Sequence, residues 1–165
     1  MFRTEASPGP AVLVRPMRTG DAAGVLAVQL AAFTIESELY DDPELPPLLE
    51  PHADLNHWLD AGGLGFVAEA DGRLVGSIRI ELDGDVVLIS RLSVAPEYQR
   101  RGIGEALLRH AESVTPAVTA RLFTGHLSAA NLRLYARLGY TEERRQPVDA
   151  KVTLVHLRKD LRPSD

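Results

Sequence analysis

Two Asp-Gly pairs, Asp71-Gly72 and Asp83-Gly84, each set between apolar runs, restrict the fold of this chain more than any other feature. Asp-Gly suits a two-residue turn with positive φ, whose twist matches the strands of a hairpin. Gly65 to Glu69, Leu74 to Leu82 and Val86 to Val94 therefore read as three consecutive antiparallel strands. In the middle strand Leu74, Gly76, Ile78, Ile80 and Leu82 alternate onto one face. A parallel nucleotide-binding sheet is excluded at this position, because its strands need helical crossovers between them.

Helical spacing surrounds this meander. Thr19-Gly20-Asp21 offers cap chemistry, and Ala22, Val25, Leu26, Gln29, Leu30 and Phe33 recur as one stripe. Residues 34–51 are acidic and carry Pro43, Pro46, Pro47 and Pro51, so an ordered loop with at most short helical turns is expected. A second helix covers about Asp54 to Leu59. After the meander, Ile103, Leu107, Ala111 and Val114 share a helix face that Pro116 ends. Ala120 to Thr124 reads as a strand, Ser128 as the cap of a helix to Leu138, and Gly139 as its left-handed stop. Tyr140 to Arg145 and Lys151 to Leu157 close the domain as strands. The expectation is one α/β domain over 11–160, a flexible arm over 1–10 and a short tail over 161–165. Its sheet is mixed, mostly antiparallel, with six to seven strands and about four helices.

Composition narrows the partners. A net charge of -5 argues against a general nucleic-acid binder, whose face would be basic. The chain has 0 cysteines, so a Cys nucleophile, thiolate metal sites and disulfides are ruled out. His52, His57 and Trp58 show no metal spacing, and no metal is expected. No apolar run approaches the roughly 20 residues of a membrane helix, and no apolar signal core precedes Pro8. A cytoplasmic protein is expected, without membrane or nucleic-acid partners. The excess of arginine over lysine (only Lys151 and Lys159 are Lys) fits a GC-rich bacterial genome.

The segment after the meander carries the chemistry. Leu92-Ser93-Val94-Ala95-Pro96 leads through Gln99-Arg100-Arg101-Gly102-Ile103-Gly104 into a helix. The first N–H groups of a helix lack partners, and its dipole adds partial positive charge. A phosphate or pyrophosphate fits there, approached closely by the glycines. A dinucleotide fingerprint would need Gly where Leu107 stands, and a Walker loop would need Lys-Ser/Thr where Glu105-Ala106 stands.

Gln-x-x-Gly-x-Gly between an antiparallel strand and a helix resembles the acyl-CoA pyrophosphate loop of the GNAT superfamily of N-acetyltransferases. Asn131-Leu132-Arg133-Leu134-Tyr135 is similar to that family's late helix. The resemblance implies acetyl-CoA as co-substrate, contacted by Leu92, Ser93, Val94, Gln99, Arg100, Arg101, Gly102, Ile103, Gly104 and Asn131. It also implies that the strand Leu88 to Val94 splays from Ala120 to Thr124, freeing backbone groups for the pantetheine. Asn131 and Tyr135, four apart, share a helix face. Tyr135 takes the role of proton donor to the leaving thiolate, which suits a phenol.

The acceptor implied is a primary amine, on a small molecule or a peptide. Many relatives place a Glu on the strand before the loop, whereas Ile89-Ser90-Arg91-Leu92-Ser93 has no carboxylate. The general base is therefore water or one of Glu36, Glu38, Tyr40, Asp41, Glu81 and His126. Glu36, Glu38 and Tyr40 lie where this superfamily lines its acceptor pocket. Oligomeric state is open, with a homodimer through the C-terminal strands as one expectation. A non-catalytic acyl-CoA-binding or regulatory domain is the alternative.

Overall fold

The computed structural model describes residues 11–162. The arm expected over 1–10 lies outside the described residues, as does the tail beyond Arg162. In chain order the elements are β1 (Leu13–Pro16), α1 (Ala22–Tyr40), α2 (Pro46–Leu49), α3 (His52–Asp60), β2 (Leu64–Ala70), β3 (Arg73–Asp83) and β4 (Val86–Val94). They continue as α4 (Ile103–Ser113), β5 (Thr119–Gly125), α5 (Ala129–Arg137), β6 (Thr141–Pro147) and β7 (Thr153–Asp160). Seven strands form one sheet in the order β1-β2-β3-β4-β5-β7-β6. Only β4 and β5 run parallel. Five α-helices, one more than expected, flank it among the described residues.

Both hairpins form, with different turns. Asp71 and Gly72 both have positive φ, 54° and 72°, as a type I′ turn requires. In the second hairpin Asp83 pairs with Val86, so the turn residues are Gly84-Asp85, with the left-handed φ of 59° on Gly84 alone. The glycine there supplies the first turn position rather than the second, the pattern of a type II′ turn.

The sheet is covered on both faces. Val67 packs with Ala22, Val25 and Leu55 from α1 and α3, while its neighbours Phe66 and Ala68 join Ile103, Leu107, Leu108 and Tyr135. This corrects the one-sided reading of the middle strand: Val75 through Ile80 are all buried, and Leu82 is exposed. Leu107 and Leu108 are 0% exposed, each worth about 1.5–3 kcal/mol of transfer free energy. Val114 and Leu30, expected on buried helix faces, are exposed instead.

The acidic segment after Phe33 is also corrected. Helix α1 continues through Thr34 to Tyr40, and Asp41 ends it with a left-handed φ of 50°. Its first proline is Pro43, so nothing before that position removes a helix donor. With the turn before it, Thr19–Tyr40 is long and apolar enough to cross a membrane by length and composition, contrary to the sequence expectation. The helix lies along the sheet, and its buried Gln29 donates to the Pro47 carbonyl and to Glu50. Leu161 bonds through its N–H to the Val118 carbonyl and packs on the core, so the ordered domain passes residue 160.

Candidate functional site

The parallel pairing of β4 with β5 covers only Val86–Leu88 against Thr119–Arg121. Beyond Leu88 the two strands have no register with each other, so the expected splay is present. The reason is local to β4. Its register against β3 shifts between Ser77 and Arg79, where Ser93 and Ser90 are their partners. Arg91 sits in that bulge with φ at 53°. A bulge bends its strand and increases twist, which turns the end of β4 away from β5.

A channel of about 420 Å³ opens beside the end of β4, between the start of α4 and the start of α5. Of the residues expected to contact the cofactor, Leu92, Val94, Gln99, Arg100, Gly102, Ile103, Gly104 and Asn131 line it. Ser93 and Arg101 do not. Ser93 is buried and bonds the Arg91 carbonyl, because alternation turns it away from its neighbours Leu92 and Val94. Arg101 lies over the Tyr98 ring, 5.1 Å from its centroid. The Gln99 side chain donates to the Val94 carbonyl at 3.2 Å and ties the loop to the strand end.

The loop is shaped for an anion. Arg100 and Gly102 have φ of 63° and 81°. Gly102 precedes α4 with no side-chain cap, and the first intrahelical bond runs from the Ala106 N–H to the Gly102 carbonyl. The N–H groups of Ile103, Gly104 and Glu105 are thus available at the positive end of the helix dipole. A Cβ on Gly104 would only touch Leu134 at 3.5 Å and Val94 at 3.8 Å, so the glycine leaves the helix start open for a ligand. Glu105, an acid at this end, is paired with Arg109 and Arg137.

A second cavity, of about 490 Å³, lies beyond the channel between α1, β4 and β5. Phe33, Glu36, Leu92, Ser128 and Asn131 line both spaces and mark where they join. At that junction the hydroxyl of Ser128 donates to Glu36 at 2.5 Å. The Tyr40 hydroxyl lies 2.8 Å from Ser128 Oγ and accepts the Leu127 N–H at 2.9 Å. Ser128 thus sits at the helix start without capping it, its hydroxyl engaged by α1 instead. Asn131 donates to Thr124 Oγ1 at 3.3 Å. Tyr135 lines the cavity at 5% exposure, with its ring edge-on to Tyr140. Burial pushes the Tyr135 phenol well above its ordinary range, and the nearby charge of Glu36 adds to the shift. The group is therefore a protonated donor throughout the physiological range.

None of the remaining candidates lines both spaces. Glu38 is exposed on α1 and lines neither space. Tyr40 lines the cavity, and its hydroxyl stitches α1 to the β5–α5 turn. The ring of His126 pins β5 to β7 by accepting the Thr153 N–H. Asp41 caps α1, and Glu81 is exposed on β3. Sequence reasoning missed Ser128 as a partner of Glu36, since their contact spans 92 positions. It also missed the ion pair of Arg79 with Glu50, both largely buried.

Residues 61–142 match the family model described as an acetyltransferase (GNAT) domain. The chain is 30% identical over 122 residues to the UPF0157 protein YqkA of Bacillus subtilis, a match covering 72% of this chain and 34% of that one. It thus spans about a third of that relative's length. It is 29% identical over 108 residues to the peptidyl-lysine N-acetyltransferase YiaC of Escherichia coli, covering 53% of this chain and 72% of that one. In fold it is similar to the structure of yncA of Salmonella typhimurium with its cofactor acetyl-CoA. There the TM-score is 0.74 at 17% identity, over 94% of this chain and 96% of that one. With the matched region running from before β2 to the start of β6, the chain belongs to the GNAT acetyltransferase family.

Proposed function

We propose that this protein transfers an acetyl group from acetyl-CoA to a primary amine, both held at once, with the pyrophosphate at the start of α4. The observation that carries this reading is the junction of the two spaces. Among the described residues Glu36 is the one carboxylate that lines both. Acetyl-CoA would supply an activated thioester. The residues of the chain do the rest.

The channel and the cavity hold the two substrates side by side, which makes attack effectively unimolecular. The splayed end of β4 offers backbone groups to the pantetheine, as an added strand would, and an N–H to polarise the carbonyl. Glu36, held by Ser128, takes the proton from the amine, directly or through one water. Tyr135 gives its proton to the departing sulfur. Asn131 orients the pantetheine arm from the same helix face. This assignment fills the place left by the strand carboxylate that β4 lacks.

The test is release of free thiol from acetyl-CoA with a panel of primary amines, beside calorimetry with CoA. Turnover with saturation in both substrates is the expected result. Tight CoA binding without turnover on any amine would favour the acyl-CoA-binding alternative. Cytoplasmic location belongs to the same proposal. A homodimer through β6 and β7 is tested by sedimentation; the edge strand β6 is exposed along its length and carries Glu142, Glu143, Arg144 and Arg145, which blunt strand pairing.

A further inference from the structure

We propose that the acceptor is a small apolar amine that also carries an acid group, such as a free apolar amino acid, and that Arg91 holds that acid. This inference rests on the acetyltransferase reading above and names the substrate class of the same site.

Arg91 is placed by the β4 bulge, in a left-handed conformation that is uncommon for a residue with a side chain. Such a conformation is strained and concentrates at sites where it serves a function. Here it puts Arg91 in the lining of the acceptor cavity, next to the junction residue Leu92.

The guanidinium has no hydrogen bond or ion pair among the described residues, and its Nε is buried without a partner. The carboxylate that could serve it is already engaged. Glu50 receives Arg79 through both oxygens, at 2.5 and 2.8 Å, and Gln29 donates to it as well. Arg79 does not line the cavity. Two arginines therefore share one glutamate, and the one left without a partner is the one that lines the cavity. Burial and the neighbouring Arg79 both lower the Arg91 pKa, while Glu50 raises it. An incoming carboxylate would relieve this arrangement with charge-assisted, bidentate bonds.

The other acids of the cavity do not neutralise Arg91: Glu44 forms no ion pair with it among the described residues, and Asp42 and Asp149 are engaged locally. Asp42 accepts the Glu44 N–H, and Asp149 accepts the N–H groups of Lys151 and Val152. Each closes its own turn. Between these poles the walls are apolar, with Phe33, Leu45, Pro46, Ile89 and Phe123 among them. The space has the size of a small-molecule site. A molecule that satisfies it presents an amine to Glu36, an acid to Arg91 and an apolar side chain to the walls.

The experiment compares L-leucine, leucinamide, 3-methylbutylamine and a leucyl-glutamyl tripeptide amide as acceptors, with the wild type and with Arg91→Gln and Arg91→Lys. Thiol release is the readout, and calorimetry with CoA reports the cofactor site separately. The wild type should favour leucine over the two small neutral amines by about 30-fold in kcat/KM, the worth of a charge-assisted contact. Arg91→Gln should remove that preference, mainly through KM, without weakening CoA. Arg91→Lys should retain part of it, and it provides the comparison if the Gln variant fails to fold. Equal use of leucine and the neutral amines by the wild type overturns the inference and leaves the acetyltransferase reading standing. So does a preference for the peptide, or an equal loss on all acceptors in Arg91→Gln. Absence of turnover on every amine, with CoA bound, overturns both.

Discussion

The channel proposed for the cofactor and the cavity proposed for the acceptor share five lining residues yet are built by different means. The channel is chiefly a main-chain object, made from a helix start, two left-handed loop residues and a strand end released from its neighbour. The groups proposed to hold the anion are backbone N–H groups within one short segment. The cavity is a side-chain object. Glu36 comes from α1, Arg91 from β4, Ser128 from the start of α5 and Asp149 from the loop before β7. A backbone site tolerates change in most of its side chains while its glycines persist. A side-chain site changes its ligand with single substitutions. One scaffold can thereby keep its acyl donor and alter its acceptor.

Substitutions can break this contrast from either side. The largest effect is expected from Gly104→Glu. It puts a second acid at the open start of α4, and calorimetry should show CoA affinity lowered by more than about 100-fold. Thermal unfolding should remain cooperative, since a Cβ there makes ordinary contacts. Retained CoA binding would mean that the pyrophosphate lies elsewhere.

Glu36→Gln comes next. It keeps the shape of the junction and a hydrogen-bonding partner for Ser128 but removes the base. Turnover should fall by about 10²–10³-fold with CoA affinity unchanged. Unaltered kcat would assign the proton to water alone. Tyr135→Phe should cost less, about 10–100-fold in kcat, because a thiolate leaves more readily than an alkoxide and needs less help from an acid. Unchanged kcat with chemistry rate-limiting would remove Tyr135 from the mechanism.

Glu50→Gln sharpens the comparison through stability. Arg79 bonds to Glu50 and holds its carboxyl below the usual carboxylate range. The stabilisation is therefore present above the unfolded-state pKa and is lost as pH falls through the depressed folded-state value. At neutral pH the substitution should cost about 2 kcal/mol, since it leaves Arg79 largely buried without its counter-charge. Melting curves taken from about pH 7 down to about pH 3 should show the gap between variant and wild type closing. A constant gap would place the worth of Glu50 in packing rather than in charge.

Local rules carried part of this structure and then failed at identifiable places. The Asp71-Gly72 turn, the Gly102 loop and the left-handed Gly139 are each readable because turn geometry is a property of a few adjacent residues. The acidic stretch after Phe33 misled, because charge and downstream prolines suggested a loop while the helix ran on to Tyr40. Ser128 misled too: as a cap it is a local residue, but its hydroxyl bonds to a helix far away in the chain. Arg91 gave only the absence of a carboxylate. Nothing in its neighbours signals a bulge, which arises from pairing with β3.

The sequence by itself determined the hairpins, the helix start proposed for a pyrophosphate, and the Asn131–Tyr135 face of α5. All follow from turn chemistry or helical spacing over fewer than about ten residues. Tertiary structure alone decided which acid meets the two spaces, that Arg91 of the cavity lining is left without a partner, and that Tyr40 and His126 tie separate elements together. Those outcomes depend on contacts between segments far apart in the chain, whose geometry is set by strand register and helix packing rather than by neighbouring residues.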